Sequence, residues 1–375
     1  KMKEEMQVEE KIILVAKYTK GNRLERDEVT LSRIVLDTNT LQFLGQNLIC
    51  EDLSHGKEAI KIPCTNDIDD APVPSLEYIT SSRFSADADT ILKTVLANVK
   101  NQAKPCSGCY KIDMDDPTAC VSVHVDVNGG GRDQDRRIDW QGEPMLGRLP
   151  YDHYGLLQLG WLTIDVVECN SRCRCGSKCV NWELQKGLQL ALEVFKTQDR
   201  GWGVRTLEQI PRGKFAMEYV GEVLTQDEAG KRGQLYAEYN SSYLCNLDHP
   251  AVAQENHLVL DGFKMSNVAR FINHRSVAEM ANVLLNSRLN EGKTDAEGKT
   301  SCEGNLRIYR VYTETLDHRI FRIGLYACRD IEIGEELTYD YKYIQEEPPV
   351  VSADEPSVVK CFCRAKNCRQ VLLSG

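Results

Sequence analysis

Short runs of β-branched and aromatic residues, separated by turn signals, recur along the chain after residue 181. Runs of this kind are typical of β-strands. They predict strands within four segments, LALEVFKT (190–197), KFAMEYVGEV (214–223), LRIYRVYTET (306–315) and HRIFRIGLYAC (318–328). The clearest short helix is predicted at 225–236, with Thr225 as N-cap and acidic residues in the first turn. The pattern therefore predicts a mainly β protein with short helices.

Other segments do not follow this pattern. A strand is predicted at 11–20 (KIILVAKYTK), in an N-terminal segment to which the sequence assigns no function, and APVPS at 71–75 breaks any regular element. Residues 128–142 are predicted to form a loop, and 290–304 a polar, Gly-rich insertion. An acidic, Pro-containing linker is predicted at 346–356.

The net charge of −10 argues against a surface devoted to DNA phosphates. An acidic protein can attract a Lys/Arg-rich partner, although the same charge also serves simple solubility. No apolar run approaches the roughly 20 residues that span a bilayer, and the N-terminal residues do not resemble a secretory signal. We therefore expect neither a direct DNA-binding surface nor a membrane partner.

The cysteines indicate metal sites. The chain has 15, most of them in tight groups, and without an export signal this favours metal over disulfides. Thiolates this close can share Zn²⁺, which prefers a tetrahedral shell of sulfur and nitrogen ligands. The last group has three thiols and needs a fourth ligand from elsewhere. The candidate ligands are Cys106, Cys109, Cys120, Cys169, Cys173, Cys175 and Cys179 in the first region and Cys361, Cys363 and Cys368 in the second.

From about Cys50 onward the sequence resembles the pre-SET, SET and post-SET protein lysine methyltransferases of the Su(var) class. The resemblance rests on ordered motifs, namely CEDLSHGKEAIKIPCTNDIDD at 50, ECNSRCRCGSKCVN at 168, GWGVR at 201, EYVGEV at 218, SYLCNLD at 242, RFINH at 270 and ELTYDY at 336. It implies a SET-domain fold of small curved β-sheets with a C-terminal pseudoknot, next to a zinc-cluster pre-SET region and a small post-SET segment. The implied boundaries are 1–45 for the N-terminal segment, 46–182 for pre-SET, 183–345 for SET with an insertion near 288–305, and 346–375 for the linker and post-SET.

The resemblance also implies S-adenosylmethionine as cofactor, bound on the face opposite the entrance for the target lysine. The residues that it assigns to the cofactor are Arg200, Gly201, Trp202, Ser242, Tyr243, Arg270, Asn273 and His274. Tyr341 matches the catalytic tyrosine, Tyr219 a second channel tyrosine, and Tyr339 the position that governs product number. Tyrosine there predicts a bias to mono- and dimethylation. Cys245, where relatives often have an aromatic channel residue, widens the channel and weakens that bias.

The sequence departs from the family at both metal sites. Relatives continue Asn-His-Ser-Cys, and that Cys is the fourth post-SET ligand, but here Ser276 stands in its place. Cys302 is one substitute, and Cys328 fits the core better; alternatively, the tail orders when cofactor and peptide arrive. Pre-SET usually has nine cysteines around three zinc ions. The seven here fit two ions sharing one bridge, unless His124 restores the third.

These observations predict an active, nuclear methyltransferase whose partners are the histone H3 tail, at the heterochromatic ninth-residue lysine, and chromatin-associated proteins. The alternative is a SET protein with weakened catalysis that acts as a chromatin scaffold. Retention of Tyr341, Tyr219 and the Asn273–His274 pair favours the enzyme, and the altered metal sites favour the scaffold.

Overall fold

A computed structural model describes residues 45–98, 103, 150–152, 154–159, 165–173, 179–237, 243–275, 304–341, 358–363 and 371–374. The strand predicted at 11–20, the loop at 128–142, the linker at 346–356 and nearly all of the insertion at 290–304 lie outside these residues. So do six of the predicted site residues, which are Cys106, Cys109, Cys120, Cys175, Ser242 and Cys368, together with Ser276 and the alternative ligands His124 and Cys302.

Strands outnumber helices in the described part of the chain. In chain order the strands are β1 (Leu48–Cys50), β2 (Cys64–Thr65), β3 (Glu77–Tyr78), β4 (Arg83–Phe84), β5 (Asp165–Val167), β6 (Leu192–Lys196), β7 (Trp202–Thr206), β8 (Phe215–Tyr219), β9 (Glu222–Leu224), β10 (Leu244–Asn246), β11 (Val259–Asp261), β12 (Met265–Ser266), β13 (Asn273–His274), β14 (Leu306–Tyr312), β15 (Arg322–Ala327), β16 (Thr338–Tyr339), β17 (Val358–Lys360) and β18 (Val371–Ser374). The α-helices are α1 (Ala86–Ala97) and α2 (Gln226–Ala237), and the 3₁₀ turns are Leu184–Lys186, Gln254–Asn256 and Val268–Phe271.

The strands form three four-stranded sheets and three two-stranded ones. The larger sheets have the orders β1-β2-β6-β7, β10-β11-β9-β4 and β5-β14-β15-β8, and the pairs are β12-β3, β13-β16 and β17-β18. All four segments predicted as strands contain strands. These small sheets match the predicted mainly β architecture.

Both helices begin at side-chain caps. Ser85 Oγ accepts a hydrogen bond from Ala88 N at 3.2 Å, and Thr225 Oγ1 accepts one from Glu228 N at 3.4 Å. Glu228 returns the contact, because its Oε2 accepts from Thr225 N at 2.9 Å and completes a capping box. The helix predicted at 225–236 is thereby confirmed, whereas α1 was not predicted. Neither described helix has the length and apolar character needed to cross a bilayer.

The core contains a main cluster and a smaller aromatic one. The main cluster joins the inner faces of β6, β7, β8, β11 and β15, with Leu192, Val204 and Leu325 fully buried. In the smaller cluster, Tyr151 donates from its hydroxyl to Glu168 Oε1 at 2.7 Å and lies 2.6 Å from the Tyr326 hydroxyl. Because Glu168 precedes Cys169, this buried network fixes the start of the four-cysteine block to the sheet below it.

Candidate active site

The two-stranded pair β13-β16 is the centre of the site. The strands run parallel, with Asn273 opposite Thr338 and His274 opposite Tyr339, and Arg275 N donates to Tyr339 O at 3.0 Å. Asn305 stabilises the position of β16, because its Oδ1 accepts a hydrogen bond from Thr338 N at 2.8 Å. The C-terminal strand of the domain is thus placed against a segment more than 60 residues earlier, as the predicted pseudoknot requires.

Asn273 connects this pair to the Gly-Trp-Gly turn. Its Nδ2 donates to Trp202 O at 3.0 Å and to Glu336 Oε1 at 2.9 Å. The other carboxylate oxygen of Glu336 accepts from the Arg200 guanidinium at 2.6 Å. Among the residues predicted to bind the cofactor, Arg200 and Asn273 therefore meet through Glu336, and Asn273 also contacts the Trp202 backbone. Sequence reasoning missed this carboxylate, although it begins the ELTYDY motif.

The turn itself requires glycine at two positions. Gly201 has a φ of +66°, in the left-handed region that favours glycine, and its carbonyl accepts from Thr197 N at 2.8 Å. At Gly203 a Cβ would lie 2.9 Å from Glu336 Oε1 and 3.1 Å from the Phe195 ring. Gly201 is therefore required by the backbone conformation of the turn, and Gly203 by its close approach to Glu336 and Phe195.

Arg270 and Tyr243 form a second part of the predicted cofactor site. The guanidinium carbon of Arg270 lies 4.3 Å from the centroid of the Tyr243 ring, a cation–π geometry. Arg270 Nε is buried and has no hydrogen-bond partner among the described residues. A buried guanidinium N–H without an acceptor fits a ligand that carries a carboxylate, such as the amino-acid portion of S-adenosylmethionine.

The predicted catalytic tyrosines, Tyr341 and Tyr219, contact opposite ends of residues 262–272, the segment between β11 and β13. Tyr341 donates from its hydroxyl to Ile272 O at 2.6 Å, and its ring centroid lies 4.7 Å from that of Tyr339 and 5.2 Å from that of His274. Tyr219, at the end of β8, is buried with its hydroxyl against Gly262. Residues 262–272 therefore carry the contacts of both phenols.

A methyl group at residue 262 tests how tightly Tyr219 is placed. The Cβ of a Gly262→Ala variant would lie 2.8 Å from the Tyr219 hydroxyl, inside van der Waals contact, so the phenol must shift. For the methyl-transfer activity that the sequence resemblance implies, we expect the rate to fall by about tenfold, because misplacing a positioning group near the reacting atoms is costly. Steady-state kinetics checks this, with Gly230→Ala as control, since a Cβ at Gly230 meets nothing within 4 Å. Equal kinetics for the two variants would contradict the placement.

An apolar cavity of about 280 Å³ adjoins Tyr219 on the side of α1. Its walls include Phe84, Leu92 and Leu260. Cys245 is paired with Leu260 across β10 and β11, and it is half-buried. Burial, with a smaller contribution from Asp248, raises the pKa of the Cys245 thiol to about 12, so this side chain is neutral at physiological pH. Cys245 therefore acts as a small, uncharged side chain beside the cavity wall.

The described pre-SET cysteines fit a thiolate–metal cluster. Cys169 Sγ and Cys179 Sγ lie 3.6 Å apart, too far for a disulfide but close to the roughly 3.8 Å expected between two sulfurs of one tetrahedral zinc. Asn170 N donates to Cys173 Sγ and Asn181 N donates to Cys179 Sγ, each at 3.3 Å. Backbone N–H groups directed at sulfur stabilise the thiolate form that binds metal.

A second group of metal-ligating side chains lies at the C-terminal end. The ligand atoms of His274, Cys361 and Cys363 all fall within 4.8 Å of one another. Cys328, by contrast, is buried and donates from its thiol to Gly304 O at 3.3 Å, in agreement with the predicted core position. The remaining predicted ligand of this group, Cys368, lies outside the described residues.

Comparison with known proteins agrees with this geometry. A family model for the Pre-SET motif matches residues 54–182, and one for the SET domain matches residues 201–342. Histone-lysine N-methyltransferase SUVR5 of Arabidopsis thaliana is 32% identical over 341 residues, which cover 87% of this chain and 21% of that protein. Histone-lysine N-methyltransferase SUV39H1-A of Danio rerio is 37% identical over 225 residues, covering 56% of this chain and 47% of that protein.

Among solved structures, KRYPTONITE in complex with mCHH DNA, an H3(1-15) peptide and SAH superimposes with a TM-score of 0.60 at 27% identity. The alignment covers 94% of this chain and 57% of that one. This chain spans 21% of SUVR5 and 47% of SUV39H1-A, which is less than half the length of each of these curated relatives. Fold, site and matched models together define a protein with a Pre-SET motif followed by a SET domain. Within that class it is similar to the histone-lysine N-methyltransferases SUVR5 and SUV39H1-A.

Proposed function

We propose that the protein is an S-adenosylmethionine-dependent protein-lysine N-methyltransferase that acts on the tail of histone H3. The observation that carries this proposal is the parallel pairing of β13 with β16. It places Asn273 against the Gly-Trp-Gly turn and, in the same short segment, Tyr341 against Ile272. The names of the relatives, and the H3 peptide and SAH in the KRYPTONITE complex, support the same activity.

S-adenosylmethionine would supply an electrophilic methyl group on its sulfonium. The lone pair of the lysine amine would form the N–C bond while the S–C bond breaks, leaving the neutral thioether S-adenosylhomocysteine and a methylated ammonium. An exposed lysine is roughly 99.9% protonated at neutral pH, given a reference pKa near 10.4, so the site must favour the neutral amine. Buried, mainly apolar surroundings around Tyr219 disfavour the ammonium form. The hydroxyls of Tyr341 and Tyr219 then hold the amine in line with the methyl group, and positioning supplies most of the acceleration.

The acidic chain suits a basic tail as substrate. With a net charge of −10 it attracts a Lys/Arg-rich peptide and repels free nucleic acid phosphates. We assign the ninth-residue lysine of H3 as the target, because the motifs are those of the Su(var) class, and we place the protein in the nucleus with its substrate. Chromatin-associated proteins are the expected further partners.

Label transfer tests the activity directly. The protein is incubated with S-adenosylmethionine carrying a labelled methyl group and with an H3(1-15) peptide, and the peptide is analysed by mass spectrometry. We expect label on one lysine, and none on a peptide in which the ninth residue is Arg. Cofactor binding by calorimetry without any label transfer would support the scaffold alternative and reject the enzyme.

Tyr339 sets the number of methyl groups in this proposal. A Tyr339→Phe variant removes one hydroxyl from the half-buried ring beside Tyr341 and leaves more room at the amine. We expect the wild type to stop mainly at mono- and dimethyl-lysine and the variant to produce a several-fold larger trimethyl share. Mass spectrometry of the peptide over a time course measures both. Abundant trimethyl-lysine from the wild type would contradict the assignment of Tyr339.

A further inference from the structure

The C-terminal cysteines Cys361 and Cys363 lie beside His274, which the sequence analysis assigned to cofactor binding. Ser276 replaces the cysteine that completes the post-SET metal site in relatives, which leaves that site one ligand short. In the structure, however, the ligand atoms of Cys361 and Cys363 lie within 4.8 Å of His274. We propose that His274 is the missing ligand and that it binds zinc together with Cys361 and Cys363.

The strand geometry explains why His274, and not its neighbour, faces the cysteines. Successive side chains of a β-strand point to opposite faces. On β13, Asn273 points to Trp202 and Glu336, with hydrogen bonds of 3.0 and 2.9 Å. His274 therefore points to the other face, where Tyr341 and the two cysteines lie. One dipeptide thus serves two sites, the first residue toward the Gly-Trp-Gly turn and the second toward the metal.

The surroundings of the imidazole suit a metal ligand. His274 and Cys363 are each 5% exposed, so charged thiolates at this place need a cation to compensate for lost hydration. Nδ1 of His274 accepts from Tyr341 N at 3.1 Å and lies 3.8 Å from Asp340 Oδ1. We assign the ligand role to Nε2, because Nδ1 faces these two groups. Metal binding through Nε2 leaves the ring proton on Nδ1, so the hydrogen bond from Tyr341 N is given up and the Asp340 carboxylate, 3.8 Å away, becomes the acceptor for Nδ1–H, an arrangement common at zinc sites.

Zinc is the metal that fits this ligand set. Two thiolates and one imidazole are the ligands of structural zinc sites, where Zn–S is about 2.3 Å and Zn–N about 2.0–2.1 Å. These bond lengths place the ligand atoms of one tetrahedral ion roughly 3.5–3.8 Å apart, so from separations within 4.8 Å binding requires a closing movement of at most about 1.3 Å. The bound metal would fasten the β17-β18 hairpin, which leads into and follows these cysteines, to the strand that carries Asn273.

The metal content of single variants tests this assignment without any use of methyl transfer. Zinc per chain is measured by plasma mass spectrometry on the full chain, after far-UV circular dichroism has verified folding. We expect His274→Ala and Cys361→Ser each to hold one zinc fewer than the wild type. Cys64→Ala, which removes a buried thiol from β2, is expected to retain the wild-type content.

A His274→Cys variant provides a second test in case His274→Ala does not fold. It is expected to retain the metal, and after cobalt substitution its thiolate-to-metal absorption should exceed that of the wild type. Two results would overturn the proposal: full zinc content in His274→Ala while Cys361→Ser loses an ion, or full content in both. Cobalt absorption of His274→Cys equal to that of the wild type would also overturn it.

Discussion

Replacing Tyr341 with Phe is expected to lower the rate of methyl transfer by about 10²–10³-fold, the usual cost of losing one hydrogen-bonding group at a reacting centre. The variant keeps the ring, which packs 4.7 Å from Tyr339 and 5.2 Å from His274 between centroids. It loses only the hydroxyl that donates to Ile272 O at 2.6 Å. A hydrogen bond of this kind contributes about 1 kcal/mol to stability, so the fold should survive.

The measurement is kcat with the H3 peptide, combined with calorimetric binding of S-adenosylmethionine. We expect kcat to fall while cofactor affinity changes by less than about threefold, because the contacts that place Asn273 remain. Tyr326→Phe is the matched control: it removes a buried hydroxyl 2.6 Å from Tyr151, in the aromatic cluster of the sheet, and should cost stability without lowering kcat. Equal kcat values for wild type and Tyr341→Phe would exclude the catalytic assignment.

The sequence predicted the long strands because their residues carry a local signal. β14 and β15 consist of β-branched and aromatic residues, and the structure pairs them over six positions from Leu306↔Ala327 to Val311↔Arg322. The helix α2 was predicted for a similar reason, since its cap and first turn are contiguous in sequence. The signal of α1 was also local, with Ser85 as N-cap and acidic residues in the first turn. It was missed because four of its twelve residues, Thr90, Ile91, Thr94 and Val95, are β-branched and favour a strand.

The sequence predicted only those roles of the site residues that recognisable motifs indicate. β13 and β16 have two residues each, too few for any hydrophobic period, and they pair across more than 60 positions. No spacing rule gives that distance. The roles of Glu336 and His274 both depend on this pairing, which explains why one was overlooked and the other was assigned solely to the cofactor. The fourth ligand for the C-terminal cysteines was sought among thiols, and the imidazole beside them is visible only in three dimensions.

Glu336 shows how a residue without contact to the reacting atoms can control cofactor binding. Its carboxylate accepts hydrogen bonds from Arg200 at 2.6 Å and from Asn273 at 2.9 Å, and it lies where a Cβ on Gly203 would clash. It therefore holds the Gly-Trp-Gly turn at a fixed distance from β13. Hydrogen bonds to charged groups contribute about 1.5–3 kcal/mol, and partial exposure of this pair places it near the lower figure.

Glu336→Ala is accordingly expected to raise the KM for S-adenosylmethionine by about tenfold or more, with a smaller fall in kcat. Glu336→Gln keeps the shape and one acceptor for Asn273, so it should recover part of the affinity while the ion pair with Arg200 stays lost. Glu332→Ala, which removes an exposed carboxylate four residues earlier, is the control and should leave both constants unchanged. If Glu336 is a positioning residue, KM should be highest for Glu336→Ala, intermediate for Glu336→Gln and lowest for the wild type. A fall in kcat with constant KM would instead indicate that Glu336 acts on the chemical step. Losses of thermal stability that follow the same order of Glu336→Ala, Glu336→Gln and wild type would reduce its role to that of a structural ion pair.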